Sequence, residues 1–338
     1  MLTVPRDWSS VTPSWMSTAL GRTVAAVRVT DVVDGTNSRA VVEVEYASGN
    51  GPARVFVKRT GRLLGRLALT ALGAREAEAD LVRHAPDLPL ERPAFHAAAT
   101  DRRRLATVVV MEDVTLRGAR PNSALVPLTA DRVAGGLREL AALHTRHLDG
   151  PLPAFVRPWR LGPAWSPVVR GGFAHAALKL RRNGIQLGVD GARLDRDFRG
   201  WAAVATTGPQ TLLHGDPHPG NTYTVGTRIG FYDWQLVRSG NWAHDVGYFV
   251  VSSLSVADRR EHERALLEDY LAALGHRPAD AWSRYRRAPA FGLGSWLQTW
   301  AAGSFQPADV CLATIERFAA AYVDVTAAQR RGPPRLSR

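Results

Sequence analysis

The chain has very little of what secreted, disulfide-stabilised or membrane-spanning proteins need. It contains one cysteine, Cys311, among 338 residues, so no disulfide can form within it, and a reducing cytoplasm is the expected location. The first residues do not combine a basic segment with an apolar core, so we expect no secretory signal. Apolar runs such as residues 106–111 are much shorter than a membrane span, and we predict no membrane partner.

Acidic residues are scarce relative to basic ones. The chain has 31 Asp and Glu against 43 Lys and Arg, which gives a formal charge of +12. Such a balance is typical of nucleic-acid-binding proteins. The arginines are dispersed, however, and no basic strip interleaved with aromatics or helix-turn-helix pattern accompanies them. We therefore predict a solvated basic surface and no nucleic-acid partner. A monomer and a homodimer are both compatible with the sequence.

The hydrophobic pattern predicts an α+β protein. Three antiparallel strands are predicted at residues 24–33, 40–46 and 54–58, and a turn over residues 34–39 joins the first two. A buried strand rich in β-branched residues is predicted at residues 104–111. One helix is predicted over 71–84, and helices dominate later, at residues 130–145, 174–187, 195–205, 259–274 and 291–302. The chain thus divides into a small β-rich part, residues 1–114, and a larger helical part, residues 115–338.

One segment of the helical part carries the residues that phosphoryl transfer requires. Asp216 lies in the stretch Leu-His-Gly-Asp-Pro-His-Pro-Gly-Asn, Asn221 follows five residues later, and Asp233 opens an Asp-Trp-Gln triplet after a strand-turn-strand pattern. A carboxylate can orient an attacking hydroxyl, and two oxygen ligands can hold the magnesium that neutralises ATP. Asp233 also follows an apolar strand end, where a carboxylate is costly without a cation. We predict Asp216 as catalytic and Asn221 and Asp233 as metal ligands.

These motifs resemble those of the aminoglycoside phosphotransferase and choline kinase superfamily. The resemblance is closest to its ecdysteroid-kinase-like branch. It rests on the motif from His214 to Asn221, on the Asp-Trp-Gln triplet, on Glu112-Asp113-Val114 after an apolar strand, and on a Leu-Ala-Ala-Leu-His pattern that ends at His144. It implies a protein-kinase-like fold of two lobes. The N-lobe, residues 1–114, would bind the nucleotide, and the C-lobe, residues 115–338, would hold the catalytic loop and the acceptor site.

The resemblance further implies which N-lobe residues hold the phosphates. Lys58, at the end of the third strand, matches the lysine that contacts the α- and β-phosphates of the nucleotide. Glu76 is the expected helix acid that orients it, with Glu78 as the second choice. Backbone amides and hydroxyls of the loop after the first strand would cover the phosphates, through Gly35, Thr36 and Ser38.

Other positions take their expected roles from the same resemblance. Glu112 and Val114 would lie in a hinge whose backbone groups bind the purine of ATP, with GTP not excluded. His218 would lie close to the chemistry, and we include it among the catalytic residues. His214 would pack and hydrogen-bond to hold the catalytic loop, and Asp245 would accept backbone N–H groups of that loop.

The expected acceptor is the hydroxyl of a small molecule bound in the C-lobe. Aminoglycosides are polycations, and a chain of charge +12 suits them poorly, so a neutral alcohol, sugar or natural product is favoured. An aminoglycoside or another antibiotic is the alternative. Trp296 and Trp300 lie one turn apart on a predicted helix, and we favour core packing for them over a role in lining the acceptor site.

Three other functions compete with a small-molecule kinase. The spacing of His214, Asp216 and His218, with a later His-Asp pair, suggests a metal-dependent phosphohydrolase, but this leaves Lys58 and Asn221 without a role. A protein kinase is disfavoured because the chain lacks an Ala-Pro-Glu segment. An inactive nucleotide-binding module is disfavoured because every catalytic position holds the expected residue type.

Overall fold

The computed structural model describes residues 2–34, 37–61, 66, 70, 73–159, 165–303 and 305–331. The predicted phosphate-loop residues Gly35 and Thr36 therefore lie outside the described residues. An antiparallel sheet forms the N-terminal lobe from the strands β1 (Val24–Asp34), β2 (Asn37–Tyr46), β3 (Arg54–Thr60), β4 (Phe95–Asp101) and β5 (Ala106–Glu112). Their spatial order is β1-β2-β3-β5-β4.

Two helices cover the faces of this sheet. Helix α1 (Pro13–Leu20) begins with the Thr12 side chain accepting the N–H of Trp15 and ends at Gly21 in the left-handed conformation. Its Trp15 and Met16 pack on one face of the sheet, against the buried valines of β2 and β3. Helix α2 (Ala77–His84) packs on the opposite face, which is also the face toward the second lobe.

The N-lobe differs from its prediction in three places. Strand β2 begins at Asn37, so the expected turn over residues 34–39 is too long. Strand β4 was not predicted, because its alanine-rich sequence lacks the β-branched residues that favour strands. The helix expected over 71–84 begins at Ala77 among the described residues.

The C-terminal lobe is mainly helical, as predicted. Its helices are α3 (Ala130–His147), α4 (Trp165–Arg182), α5 (Gly191–Ala205), α6 (Ala243–Ser253), α7 (Val256–Leu274), α8 (Ala281–Tyr285), α9 (Ala288–Ala302) and α10 (Ala308–Arg331). Every residue of α6 is buried, which makes it the central helix of the lobe. Trp296 and Trp300 on α9 are both buried, in agreement with the favoured core packing.

Short strands hold the segments that carry the motifs. Strands β6 (Arg120–Pro121), β8 (Thr222–Val225) and β9 (Arg228–Phe231) form one small sheet, and β7 (Thr211–Leu213) pairs with β10 (Arg238–Gly240). The chain leaves β7 into the loop that bears Asp216 and returns through β8. It leaves β9 into the turn that bears Asp233 and returns through β10. Both loops therefore emerge at the same end of the lobe, facing the sheet of the N-lobe.

Among the described residues, none of the helices has the length and apolar character that crossing a membrane would require.

Candidate active site

Asp245 fixes the backbone of the loop that follows β7. This buried carboxylate, in the first turn of α6, accepts the N–H of His214 at 2.7 Å and the N–H of Gly215 at 3.0 Å. Burial alone would raise the pKa of Asp245, but the contact with His144 on α3 and nearby histidines hold it below its usual value. The role that the resemblance implied for Asp245 is confirmed by these contacts.

Gly215 brings this loop against the turn that follows β9. Its φ is +87°, and a Cβ atom at this position would lie 2.0 Å from the backbone oxygen of Leu236. Only glycine permits both this conformation and this approach. On its other side the Gly215 carbonyl lies 3.0 Å from Nε2 of His244.

Asp216 is held by an amide and a phenol. The Nδ2 of Asn221 donates to the backbone oxygen of Asp216 at 2.9 Å and to its Oδ2 at 3.1 Å. The hydroxyl of Tyr248, on α6, lies against the carboxylate and donates toward it. Burial, reinforced by the negative charge of Asp233, raises the pKa of Asp216 to about 8. The carboxylate is therefore a fixed group with an unusual affinity for a proton.

His218 is a neutral ring beside this carboxylate. Its Nδ1 accepts the N–H of Gly220 at 3.1 Å, so the neutral ring carries its proton on Nε2, which lies 3.8 Å from Oδ2 of Asp216. Burial lowers the pKa of His218 to about 4. The ring of Trp296 packs against it edge to face, with centroids 5.1 Å apart. An uncharged, aromatic surface therefore adjoins Asp216.

Lys58 joins the two lobes through two carboxylates. Its Nζ lies 2.7 Å from Oε2 of Glu78 on α2 and 2.6 Å from Oδ1 of Asp233. Burial opposes the charge of Lys58, but the two carboxylates raise its pKa above the ordinary value. The expectation that Glu76 orients the lysine is wrong. Glu76 lies just before α2 and forms ion pairs with Arg75 and Arg102 instead.

Asp233 adopts a conformation that is rare for a residue with a side chain. Its φ and ψ are both 64°, in the left-handed region. Oε1 of Glu78 accepts the N–H of Trp234 at 3.0 Å, and Oδ1 of Asp233 is bound to Lys58, so two adjacent residues of this turn are fixed from the N-lobe. Although burial alone would raise the pKa of Asp233, Lys58 lowers it below its usual value. The carboxylate is charged at neutral pH.

The oxygens of Asn221 and Asp233 suit magnesium. The amide nitrogen of Asn221 donates to Asp216, so the side-chain carbonyl oxygen of Asn221 is turned away from Asp216. The second carboxylate oxygen of Asp233 is the one not bound to Lys58. One neutral and one charged oxygen are the hard ligands that magnesium prefers, together with phosphate oxygens and water.

Ser38, Glu112 and Val114 are the other described residues of the N-lobe that were predicted to bind the nucleotide. Ser38 is buried, donates to Oδ1 of Asp34 at 2.5 Å and accepts the indole N–H of Trp8 at 3.1 Å. Ser38 lies opposite Arg59 in the sheet, on the face away from Lys58, so its expected hydroxyl contact with phosphate is wrong for this arrangement. Glu112 ends β5, and its N–H is bonded to the oxygen of Ala94. Val114 begins the short helical turn Val114–Arg117, where the chain passes between the lobes, and the hinge stays a prediction.

Two residues of the site were missed or ranked second by sequence reasoning. Glu78 lies two positions from the first choice, and only the orientation of α2 decides between them. Tyr248 follows Asp245 by three residues on α6, which puts both side chains on one helical face. This spacing from Asp245 is the sequence feature from which Tyr248 could have been predicted as a site residue.

This fold and site define the class of two-lobed, kinase-like phosphotransferases. Residues 43–288 match the model of the APH family, described as the phosphotransferase enzyme family, and this is more than half of the chain. The chain therefore belongs to the phosphotransferase enzyme family. Membership confirms the superfamily indicated by the motifs and the prediction of an enzyme that transfers phosphate to a small molecule. No curated protein is similar enough in sequence to match.

Solved structures support the same fold. A choline kinase from Cryptosporidium parvum Iowa II is 12% identical, with a TM-score of 0.57 over 97% of this chain and 93% of that chain. A choline kinase from Streptococcus pneumoniae is 12% identical, with a TM-score of 0.53 over 91% and 96% of the two chains. The gentamicin complex of APH(2")-IIa is 11% identical, with a TM-score of 0.52 over 95% and 99%. At these identities the similarity concerns the fold alone.

Proposed function

We propose that the protein transfers the γ-phosphate of ATP to a hydroxyl group of a small molecule, with GTP as a possible second donor. The observation that carries the proposal is the contact of Lys58 with both Glu78 and Asp233, at 2.7 and 2.6 Å. It joins a phosphate-binding cation of the N-lobe to a metal-binding carboxylate of the C-lobe. Asn221, three residues after His218, links the same site to Asp216.

The proposed reaction assigns one task to each side chain. The acceptor oxygen attacks the γ-phosphorus, the bond to the bridging oxygen breaks, and ADP leaves. The hydroxyl proton passes to Oδ2 of Asp216 in its ionised form, in which the Asn221 amide holds the carboxylate. Lys58 would bind the phosphate chain, and the neutral Nε2–H of His218, 3.8 Å from Oδ2 of Asp216, would lie beside the acceptor oxygen. Magnesium, held by Asn221 and Asp233, would neutralise charge on the phosphates when bound.

The nucleotide base and the outer phosphates have their own proposed partners. Backbone groups of Glu112 and Val114 would bind the purine edge, since these residues lie where the lobes join. Backbone amides of Gly35 and Thr36 would cover the phosphates, since these residues lie in the sequence between the end of β1 and the start of β2. The division of the chain into residues 1–114 and 115–338 follows from the same hinge.

We favour a neutral acceptor: an alcohol, a sugar or a natural product. The groups that contact Asp216 are an amide, a phenol and a neutral imidazole, with Trp296 behind the imidazole. Sites for polycations need carboxylates around the acceptor, and this part of the site supplies uncharged groups. Aminoglycosides and other antibiotics are the second candidates, because the fold is shared with an enzyme that was solved in complex with gentamicin.

The metal-hydrolase alternative is disfavoured by the histidines. Nε2 of His214 lies 3.0 Å from the oxygen of Tyr232, and its Nδ1 accepts the N–H of Asp216. Both ring nitrogens of His244 are likewise engaged, one by Trp201 and one by the loop backbone. Histidines whose two nitrogens are used in this way are not available as metal ligands.

The proposal is tested by measuring ATP consumption with a panel of hydroxyl compounds. The panel should hold neutral alcohols and sugars, choline, ethanolamine and kanamycin, with product mass showing the added phosphate. We expect turnover with a neutral compound, and a loss of about 100-fold or more in kcat for Asp216→Asn with nucleotide binding retained. Turnover that Asp216→Asn leaves unchanged would contradict the mechanism, and turnover with kanamycin alone would contradict the neutral acceptor.

A further inference from the structure

Strand β2 presents a second positive charge beside Lys58. In an antiparallel pair, directly opposed residues project from the same face of the sheet. Arg39 is paired with Lys58, and Ser38 is paired with Arg59. Arg39 therefore lies on the face of Lys58, and Ser38 lies on the face that packs against Trp8.

A contact two residues earlier in β2 identifies this face as the one that closes on the C-lobe. Asn37 projects from the same face as Arg39, and its Nδ2 donates to Oε1 of Gln235 at 2.8 Å. Gln235 is two residues after Asp233. Arg39 is exposed at this point, and its positive charge contributes to lowering the pKa of Asp233. The guanidinium thus lies at the mouth of the cleft, within electrostatic reach of the proposed metal-binding carboxylate.

Lys58 and the two carboxylates that contact it do not provide a net positive charge for a triphosphate. Lys58 carries one positive charge, and it is in contact with two carboxylates, Glu78 and Asp233. This group of three has a net charge of −1 when both carboxylates are ionised. A triphosphate entering beside it is repelled unless further positive charge is present. Magnesium would supply part of this charge, and Arg39 is placed to supply more.

We propose that Arg39 is a phosphate-binding residue, which holds the outer phosphates of the nucleotide next to Lys58. A guanidinium forms paired hydrogen bonds to phosphate oxygens, so this position also orients the phosphate chain. The inference rests on the proposed function, since it assumes that a nucleoside triphosphate occupies the cleft. The phosphate loop predicted from sequence is then assisted by a side chain of β2, in addition to the hydroxyl and amide donors.

The test is calorimetric titration of the full chain with Mg-ATP, Mg-ADP and adenosine. We expect Arg39→Gln to weaken Mg-ATP binding at least about tenfold and to leave adenosine binding unchanged, because the side chain contacts phosphate only. Arg39→Lys should retain part of the Mg-ATP affinity. Arg28→Gln is the matched control, since Arg28 is an exposed arginine of the neighbouring strand β1 that is paired with Glu43.

The results of this titration distinguish a failure of the phosphate role of Arg39 from a failure of the proposed kinase function. If Arg39→Gln binds Mg-ATP as tightly as the unchanged protein does, Arg39 is not a phosphate ligand and the kinase proposal stands. If Arg39→Gln loses adenosine and Mg-ATP affinity equally, the residue supports the lobe as a whole, and its phosphate role is wrong. If the unchanged protein binds neither Mg-ATP nor adenosine, the proposed function fails and the role of Arg39 fails with it.

Discussion

Nζ of Lys58 lies 2.6 Å from Oδ1 of Asp233, and this contact joins the last residues of β3 to the turn after β9. The two residues are 175 positions apart in the chain. Lys58 belongs to the proposed phosphate-binding side of the site, and Asp233 belongs to the proposed metal-binding side. A change in the orientation of either lobe therefore alters both sides together, and residues that hold Lys58 are expected to influence the donor half of the reaction.

Glu78 and Glu76 allow a direct test of this arrangement. Glu78→Gln removes a buried charge that contacts Lys58 and weakens the bond to the Trp234 N–H, so we expect a loss of about 2 kcal/mol in unfolding free energy. The same change should lower kcat/KM for ATP by about tenfold or more. Glu76→Gln, which affects partly exposed ion pairs, should cost less than about 1 kcal/mol. Urea unfolding and steady-state kinetics check both variants, and equal effects would contradict the assignment of Glu78.

Glu76 and Glu78 show which kind of site residue could not be predicted from the sequence. Asp216, Asn221, Asp233 and Asp245 lie in motifs of fixed spacing, so their place in the candidate site could be predicted residue by residue. The partner of Lys58 lies on a different segment, and its identity depends on how α2 rotates on the sheet. The same holds for Ser38, whose face is set by the pairing register of β2 with β3, because a shift of one residue exchanges the two faces of a strand.

Tyr248 offers a test of how Asp216 is positioned. Tyr248→Phe keeps the ring but removes the hydroxyl that donates toward the Asp216 carboxylate. We expect kcat to fall by about tenfold, because the group that is proposed to receive the acceptor proton loses a hydrogen bond that helps to position it. The nucleotide affinity should not change, since Tyr248 lies beside Asp216, on the proposed acceptor side of the site. Rapid-quench or steady-state kinetics, combined with calorimetry for the nucleotide, separates the two effects.

Tyr322→Phe is the matched control for this prediction. Tyr322 is buried, and its hydroxyl donates to Oδ2 of Asp197 at 2.8 Å, so the same chemical change is made outside the site. Its variant should keep the kcat of the unchanged protein. An equal fall in kcat for both variants would show that Tyr248 acts through general stability, and the positioning role would be wrong.

Substitutions of Gly215 and Gly226 distinguish the stability cost of a positive φ from the cost of a clash with neighbouring backbone. Both have positive φ, but a Cβ on Gly226 meets nothing within 4 Å, whereas a Cβ on Gly215 would lie 2.0 Å from the Leu236 oxygen. Gly226→Ala should cost about 1–2 kcal/mol for the left-handed conformation alone. Gly215→Ala must also displace backbone, and we expect more than about 4 kcal/mol together with loss of activity. Denaturant unfolding of both variants tests this, and similar losses for the two would show that the catalytic loop and the turn after β9 can separate freely.

His218 makes the free energy of unfolding depend on pH in the mildly acidic range. Its pKa is about 4 in the folded chain and 6.5 when unperturbed, so between these values the unfolded chain binds more protons than the folded chain. The stabilising contribution is therefore complete above pH 6.5 and is lost as the pH falls toward 4, by an amount on the order of 3 kcal/mol. Other buried groups also titrate at low pH, so the measurement is a difference between variants. His218→Gln, whose amide oxygen can still accept the Gly220 N–H, should lose less unfolding free energy between pH 7 and pH 4.5 than the unchanged protein does. His262→Gln, a substitution on the surface of α7, should follow the unchanged protein, and a His218→Gln curve that does the same would show that the ring is not held neutral.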